Sequence, residues 1–371
     1  MTTKDFFEKQ SDLTASKLEI YEKYVGTYIM KLLMSFWYCF IADLFCWTGK
    51  NWSADWSPLL LIEQAKKMLD SAVLKQRFSN PKMWLLFNDE NEDNIKKLIE
   101  EIKNKQVPKN LNIIPPQKKS FKDILNDVKN ELKNTSVPKF FFLDPFKYTS
   151  TEIEDIQVLM NLAYTEVFLF LPVFDAYRFA DMKEKMPPKL KKFLESFTTR
   201  WVANYVDIYE FCNSIRDKLK SFLWLKYVNY ALLDWWSRKN CVFLLTKNIH
   251  GIMLFNRIVF SKSIDWQTVT KRRNNLAIWL FDKETLTKSD PRIDIFEKKL
   301  KEKLQENPMD NTEIIEFTVI EWLLPKHADD VLLKLKKAGK ISIDYYTDKH
   351  TGLYISENNH DQRLSKITFN K

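Results

Sequence analysis

Between Phe36 and Leu171 the chain alternates short, unbroken apolar runs with amphipathic stretches of helical period, and this alternation most restricts what it can fold into. Phe36–Phe45 until Asp43, Met83–Phe87, and Lys139–Leu143 and Glu166–Leu171 after their first residue are apolar at consecutive positions, as strands covered on both faces are, and Asn110–Ile114 is a weaker member of the set. Between them lie helical runs at Ser57–Leu69, Asn94–Asn104, Phe121–Lys133 and Thr151–Leu162. Residues 11–34 carry Leu18, Ile20, Tyr21, Tyr24, Val25, Tyr28, Ile29 and Leu32 at helical spacing, which predicts an N-terminal helix with one buried stripe. Strands and helices at this spacing predict an α/β fold with a doubly wound, mainly parallel sheet. Ligands of such sheets bind at the carboxyl ends of the strands, and three of those ends carry an acid here: Asp43, Asp89 and Asp144.

Further along, Phe193–Tyr209, Phe211–Leu219 and Phe222–Trp236 read as helices of an aromatic-rich subdomain at about 180–240. Cys241–Leu245 reads as a late strand, with Lys247–Gly251 as its turn and His250 a turn histidine. Glu284–Met309 is rich in Lys, Glu and Asp and suits a solvated helix and linker. From Thr312 a helix to Leu323, a helix Asp329–Ala338 ended by Gly339, and a hairpin of Lys340–Tyr346 with Gly352–Ser356 predict a winged helix. The expected organisation is a helical segment over 1–35, an α/β domain over 36–260, a charged helical linker over 261–310 and a winged-helix domain over 311–371.

Residue counts exclude several chemistries. Only five glycines occur, at 26, 49, 251, 339 and 352, and they form neither G-x-G-x-x-G nor a P-loop. Cys39, Cys46, Cys212 and Cys241 never reach C-x-x-C spacing and the four histidines form no H-E-x-x-H, so no metal site is expected. The first dozen residues are charged where a secretory peptide is apolar, and Leu32–Ala42 has eleven residues against the roughly 20 that span a bilayer. A cytoplasmic protein with reduced thiols and no membrane partner is expected. The net charge of +9 permits a DNA or RNA partner.

Three loops carry the candidate chemistry. Asp43 ends the first strand ahead of Phe45 and a single glycine, Gly49, an arrangement that lets a nucleoside approach the backbone. Asp89 ends the second strand, where a carboxylate can hold ribose hydroxyls; the Asn-Asp-Glu-Asn cluster around it is equally a helix cap. Asp144-Pro145-Phe146 ends the next buried strand, where an acid can orient an amine and an aromatic can stack a flat base, or where Asp-Pro simply starts a turn. Nucleic-acid contacts are expected from Lys271, Arg272 and Arg273 and from Lys334 and Lys337, which share a helix face; a solvated or protein-docking face is the competing reading.

Taken in order, LTASKLEIYEKY at Leu13–Tyr24, Ile41–Gly49, Ser57-Pro58-Leu59, Leu85–Leu98, Phe140–Tyr148, Arg178 and Phe243–Met253 resemble the three-Cys-motif partner (TcmP) family. The resemblance implies a class I methyltransferase-like Rossmann domain. It also implies an S-adenosylmethionine loop at Asp43, Phe45 and Gly49, a ribose acid at Asp89, and an active-site signature at Asp144 and Phe146. It further implies a radical-SAM-like partner protein bearing three cysteines, and a setting in phage defence or mobile-element biology. The chain departs from the family pattern where glycines are expected: Trp47 stands in the first loop, Trp56 precedes Ser57-Pro58, and Lys147 follows Phe146. Two readings follow. In one, the scaffold persists as a nucleic-acid- or protein-binding subunit with altered or lost cofactor binding; in the other, it is an active S-adenosylmethionine-dependent methyltransferase acting on a nucleic-acid base.

Overall fold

A computed structural model describes residues 12–51, 54–180, 186–200, 205–235, 238–263, 268–269, 291–346 and 352–370. The chain divides into two compact units, residues 1–247 and 248–371.

The first unit opens with α1 (Asp12–Phe36), whose Tyr21, Tyr24, Val25, Ile29 and Leu33 are wholly buried. Its main strands are β1 (Tyr38–Asp43), β2 (Lys82–Asp89), β3 (Leu111–Ile113), β4 (Lys139–Leu143), β5 (Thr165–Leu171), β6 (Tyr227–Trp235) and β7 (Arg238–Thr246). They run in the order β3-β2-β1-β4-β5-β7-β6. The pairs β1–β2, β1–β4, β2–β3 and β4–β5 are parallel, and β7 is antiparallel to both β5 and β6. This is the doubly wound, mainly parallel sheet expected. Strand order reverses between β1 and β4, which makes their carboxyl ends the switch point where such sheets bind ligands. The crossovers carry α2 (Ser57–Leu69), α3 (Glu92–Lys103), α4 (Phe121–Leu132) and α5 (Ile153–Met160). Beyond β5 come α6 (Val173–Arg178), α7 (Pro188–Phe197) and α8 (Ile208–Phe222).

Two segments differ from their sequence reading. Phe193–Tyr209 was expected as helix, but α7 ends at Phe197 and α8 begins only at Ile208. Phe222–Trp236 was expected as helix, but α8 stops at Phe222 and Tyr227–Trp235 is strand β6, paired residue for residue with β7. An apolar run buried on both faces has no period that separates strand from helix. The stop lies at Trp224, which holds φ +53° while the Leu225 N–H donates to the Lys220 carbonyl at 3.0 Å, closing a Schellman turn.

The second unit begins with α9 (Ile249–Lys262), a helix where a turn was expected; Asn248 caps it by accepting from the His250 N–H at 2.9 Å. Next come α10 (Pro291–Glu306), β8 (Met309–Asp310), α11 (Asn311–Ile320), α12 (Pro325–Lys337), β9 (Ile341–Tyr345) and β10 (Ser365–Phe369). The expected solvated helix of 284–309 is α10, which keeps its charges in water but buries Phe296, Leu300 and Leu304, with Phe296 stacked on Phe317 of α11 at 5.8 Å. The strands pair in the order β8-β10-β9, so the wing's return strand is Ser365–Phe369 and not Gly352–Ser356. Buried Asn311 sets that register. Its Nδ2 donates to the Asn359 and Gln362 carbonyls, and its Oδ1 accepts from the Leu364 and Ser365 N–H groups. Asp310 and Glu313 form a reciprocal cap on α11.

Two helix ends isolate the left-handed backbone from packing. Trp224 is 91% exposed at φ +53°, and a Cβ added to Gly339 (φ +68°) would meet nothing within 4 Å. Trp224→Gly is expected to stabilise the fold by about 1 kcal/mol and Gly339→Ala to destabilise it by a similar amount. Urea midpoints of the two variants check this, and equal signs would overturn it.

Candidate functional site

Four chain segments converge on the carboxyl ends of β1 and β4. Asp43 ends β1 fully buried; its Oδ1 accepts from the Phe45 N–H at 3.2 Å, and its Oδ2 is buried without a hydrogen-bond partner among the described residues. Asp144 follows β4, is also buried, and forms a short salt bridge with the buried Lys17 of α1, whose ammonium also lies 4.4 Å from the Phe170 ring centroid. Tyr21, one helical turn beyond Lys17, places its ring 4.4 Å from Phe142 and buries its hydroxyl without a partner among the described residues. Burial pushes the Tyr21 hydroxyl well above the usual phenol range, and the Asp43 charge adds to this.

Burial also pushes Asp43 up to about 7. The neighbouring Ser57 hydroxyl and the Phe45 N–H pull it back, as does the charge of Lys17, while the Asp144 charge reinforces the rise. A second buried acid lies deeper under α1. Glu166 accepts from the Tyr24 hydroxyl at 2.6 Å and the Thr246 hydroxyl at 2.7 Å, and burial raises it to about 7 against those bonds.

The loop after β1 is held from β2. Asp89 Oδ2 accepts from the Trp47 N–H at 3.1 Å, while its Oδ1 accepts from the Asn91 N–H at 2.8 Å and from Asn94 Nδ2 at 3.1 Å. The candidate ribose acid therefore anchors the loop and caps the start of α3. Asn88 beside it ties the same loops together, donating to the Lys119 and Leu44 carbonyls and accepting from the Lys119 N–H. Phe45 lies half-buried with its ring 4.8 Å from Phe121.

The three positions where the family resemblance expects glycine are not equivalent. Trp47 has φ +54°, the left-handed region that favours glycine. Trp56 and Lys147 are extended, at φ −96° and −124°, which any residue adopts. The Trp47 ring lies 5.5 Å from Trp56 and 5.7 Å from Phe146, so aromatics of the β1–α2 connection and of the loop after β4 meet over the strand ends. Trp56 Nε1 is buried there with no partner among the described residues, Phe146 is 61% exposed, and Lys147 is exposed. Gly49 is at φ +79°, and a Cβ on it would lie 2.6 Å from Leu98 Cδ1 and 3.3 Å from Leu59 Cγ, so protein side chains fill the space that its missing side chain leaves.

The structure thus brings Asp43, Asp144, Phe146, Asp89 and the Trp47 loop to one end of the sheet. Lys17, Tyr21, Ser57 and Asn88 were missed. Lys17 had a readable signal: it stands four residues before Tyr21, on the helix face that Tyr21, Tyr24 and Tyr28 bury. In the second unit, Lys334 and Lys337 are exposed on α12 together with Lys336, and none is ion-paired among the described residues. Asp330 is exposed on the same helix. Lys271, Arg272 and Arg273 lie outside the described residues. Among the described residues no group of three or more His, Cys, Asp or Glu could hold a metal ion, and no helix is long and apolar enough to cross a membrane.

The titration of Asp43 has a measurable consequence. Folded Asp43 keeps its proton to about pH 7, whereas an unfolded chain releases it near about pH 4. Its stabilising contribution is therefore full below the unfolded value and is lost as pH rises through about 7. Asp43→Asn, which stays neutral, is expected to gain on the wild type by up to about 1.4 kcal/mol per pH unit across that window, then level off. Urea unfolding of both proteins across the window tests this, and a pH-independent difference would show that Asp43 is ionised throughout.

A family model described as GMT-like wHTH domain matches residues 268–347, which include α10, α11, α12 and β9. No curated protein matches the chain. Among solved structures, the SAH-bound Podospora anserina methyltransferase PaMTH1 is similar at 13% identity, covering 58% of this chain and 76% of that one, with a TM-score of 0.27. The strand order and the family model together give a doubly wound, mainly parallel α/β sheet joined in one chain to a winged-helix region.

Proposed function

We propose that this chain is a nucleic-acid-binding subunit built on a methyltransferase-like scaffold whose methyl-donor site has been closed. The observation that carries this reading is Trp47: a bulky side chain at φ +54°, its N–H on Asp89 and its ring against Trp56 and Phe146. S-adenosylmethionine needs the acid free for ribose and a loop that the ligand can approach. Here the Asp89 carboxylate is engaged by three donors, and Leu98 and Leu59 fill the space beside Gly49. The residues present do not fit that cofactor. An active methyltransferase is favoured by the exposed Phe146 beside Asp144, but the buried Lys17 ties up the carboxylate that would orient a target amine.

Binding then falls to the winged helix, where Lys334, Lys336 and Lys337 offer exposed charge, not ion-paired among the described residues, to a phosphate backbone. Partnership with a radical-SAM-like three-cysteine protein, and a setting in phage defence, rest on the sequence resemblance and form the finer part of this proposal.

Two measurements test the reading. Calorimetry with S-adenosylmethionine is expected to give no heat up to millimolar ligand, and micromolar binding lost in Asp89→Ala would restore the enzyme. Duplex DNA affinity of the full chain is expected to fall steeply with salt, and Lys334→Ala/Lys337→Ala to lower the slope of log K against log salt by about 1.8, near 0.9 for each phosphate contact. A flat salt response would point to a protein partner.

A further inference from the structure

Away from the acid-bearing strand ends, the amino end of β2 and β3 opens a cavity of about 610 Å³ lined by Asn80, Lys82, Trp84, Lys109, Asn110 and Asn112. The two faces of β2 differ. Met83, Leu85 and Phe87 are wholly buried, whereas the other face runs from exposed Lys82 through half-buried Trp84 to buried Leu86. A doubly wound sheet normally covers both faces with helices. Here the register sets Trp84 beside exposed Asn112 of β3, and a large indole and an amide line open space where apolar packing would be the rule.

The lining is chemically specific. Asn110 Nδ2 donates to the Pro81 carbonyl at 3.0 Å and Asn112 Nδ2 to the Met83 carbonyl at 3.4 Å, which fixes both amides and leaves their oxygens as acceptors. Lys82 and Lys109 are exposed and form no ion pair among the described residues. The combination is a flat aromatic surface, fixed amide acceptors suited to base N–H groups, and two ammoniums, in a volume that falls within the ordinary range for ligand sites.

We propose that this cavity binds a single-stranded nucleic-acid segment, with an unpaired base stacked on Trp84 and flanking phosphates on Lys82 and Lys109. The half-buried indole requires a base that is free to leave its partner, which favours a single strand over a duplex. Two positive charges favour a polyanion over a neutral sugar ring. The site lies on the first unit, so it is separate from the winged-helix contacts proposed above.

The test uses the full chain and fluorescence anisotropy of a labelled oligothymidylate of about 12 nucleotides, with a duplex of equal length in parallel. Trp84→Ala is expected to weaken single-strand binding by about ten-fold or more, the scale of one base–aromatic stack. Lys82→Ala/Lys109→Ala, at exposed positions that spare the core, is expected to weaken it similarly and to lower the salt slope by about 1.4, near 0.7 for each phosphate. Both variants are expected to leave duplex affinity unchanged, while Lys334→Ala/Lys337→Ala does the reverse, so failure of this site and failure of the winged-helix reading give different patterns. Unchanged single-strand affinity in the folded lysine variant would overturn the proposal. So would binding of a neutral oligosaccharide at this cavity that survives loss of both lysines.

Discussion

Left-handed backbone without glycine is the constraint around which this chain is built. Among the described residues, Trp37, Trp47, Tyr164, Trp224, Trp322 and Tyr354 all hold φ between +50° and +62°, and all are aromatic. Each such residue costs about 1–2 kcal/mol in backbone energy, so together they rival the roughly 5–15 kcal/mol by which a domain is stable. Their surroundings therefore have to offset the strain. Trp322, at the end of α11, is 6% exposed and recovers its cost through ring burial. Trp47 is over-determined in a different way, by the Asp89 carboxylate on its N–H and by two rings around its indole. Strain held so tightly at a switch point belongs to function more than to folding.

The polar groups beneath that loop explain why the closed arrangement persists. Lys17 and Asp144 lie together at 6% exposure each, where removing either partner leaves an uncompensated buried charge. Asp43 escapes the same penalty by retaining its proton to about pH 7. One helix, α1, supplies the partners: Lys17 for Asp144, Tyr21 near Asp43, and Tyr24 for Glu166. α1 thus supplies polar partners to the buried acids of its own sheet.

How much of this was legible follows from what kind of signal each feature leaves. Lys139–Leu143 matched its strand to the residue because an apolar run bounded by turn residues leaves little choice. The acids at the ends of β1, β2 and β4 were legible for the same reason, since each marks where a buried strand must stop. Tyr227–Trp235 was misread because burial on both faces erases the period, and only the Trp224 turn, an aromatic in a glycine role, records the break. The return strand of the wing was missed because Asn311 selects it through four backbone bonds reaching 48 to 54 residues ahead, which no local pattern encodes. Trp47, Trp56 and Lys147 were legible as substitutions, yet only φ could show that the first is strained and the other two are not.

The two ends of the sheet have exchanged their usual characters. Parallel sheets bind ligands at their carboxyl ends because loops diverge there at the switch point and helix N-termini face the opening. In this chain Trp47, Trp56 and Phe146 cluster over that end, and the Asp89 carboxylate accepts three hydrogen bonds. The amino end of β2 and β3 is instead open and lined with lysine, amide and indole. The proposed single-strand site on the uncovered sheet face and the proposed winged-helix contacts are carried on one chain, and linkage between two such sites raises affinity for an extended polyanion without any new contact.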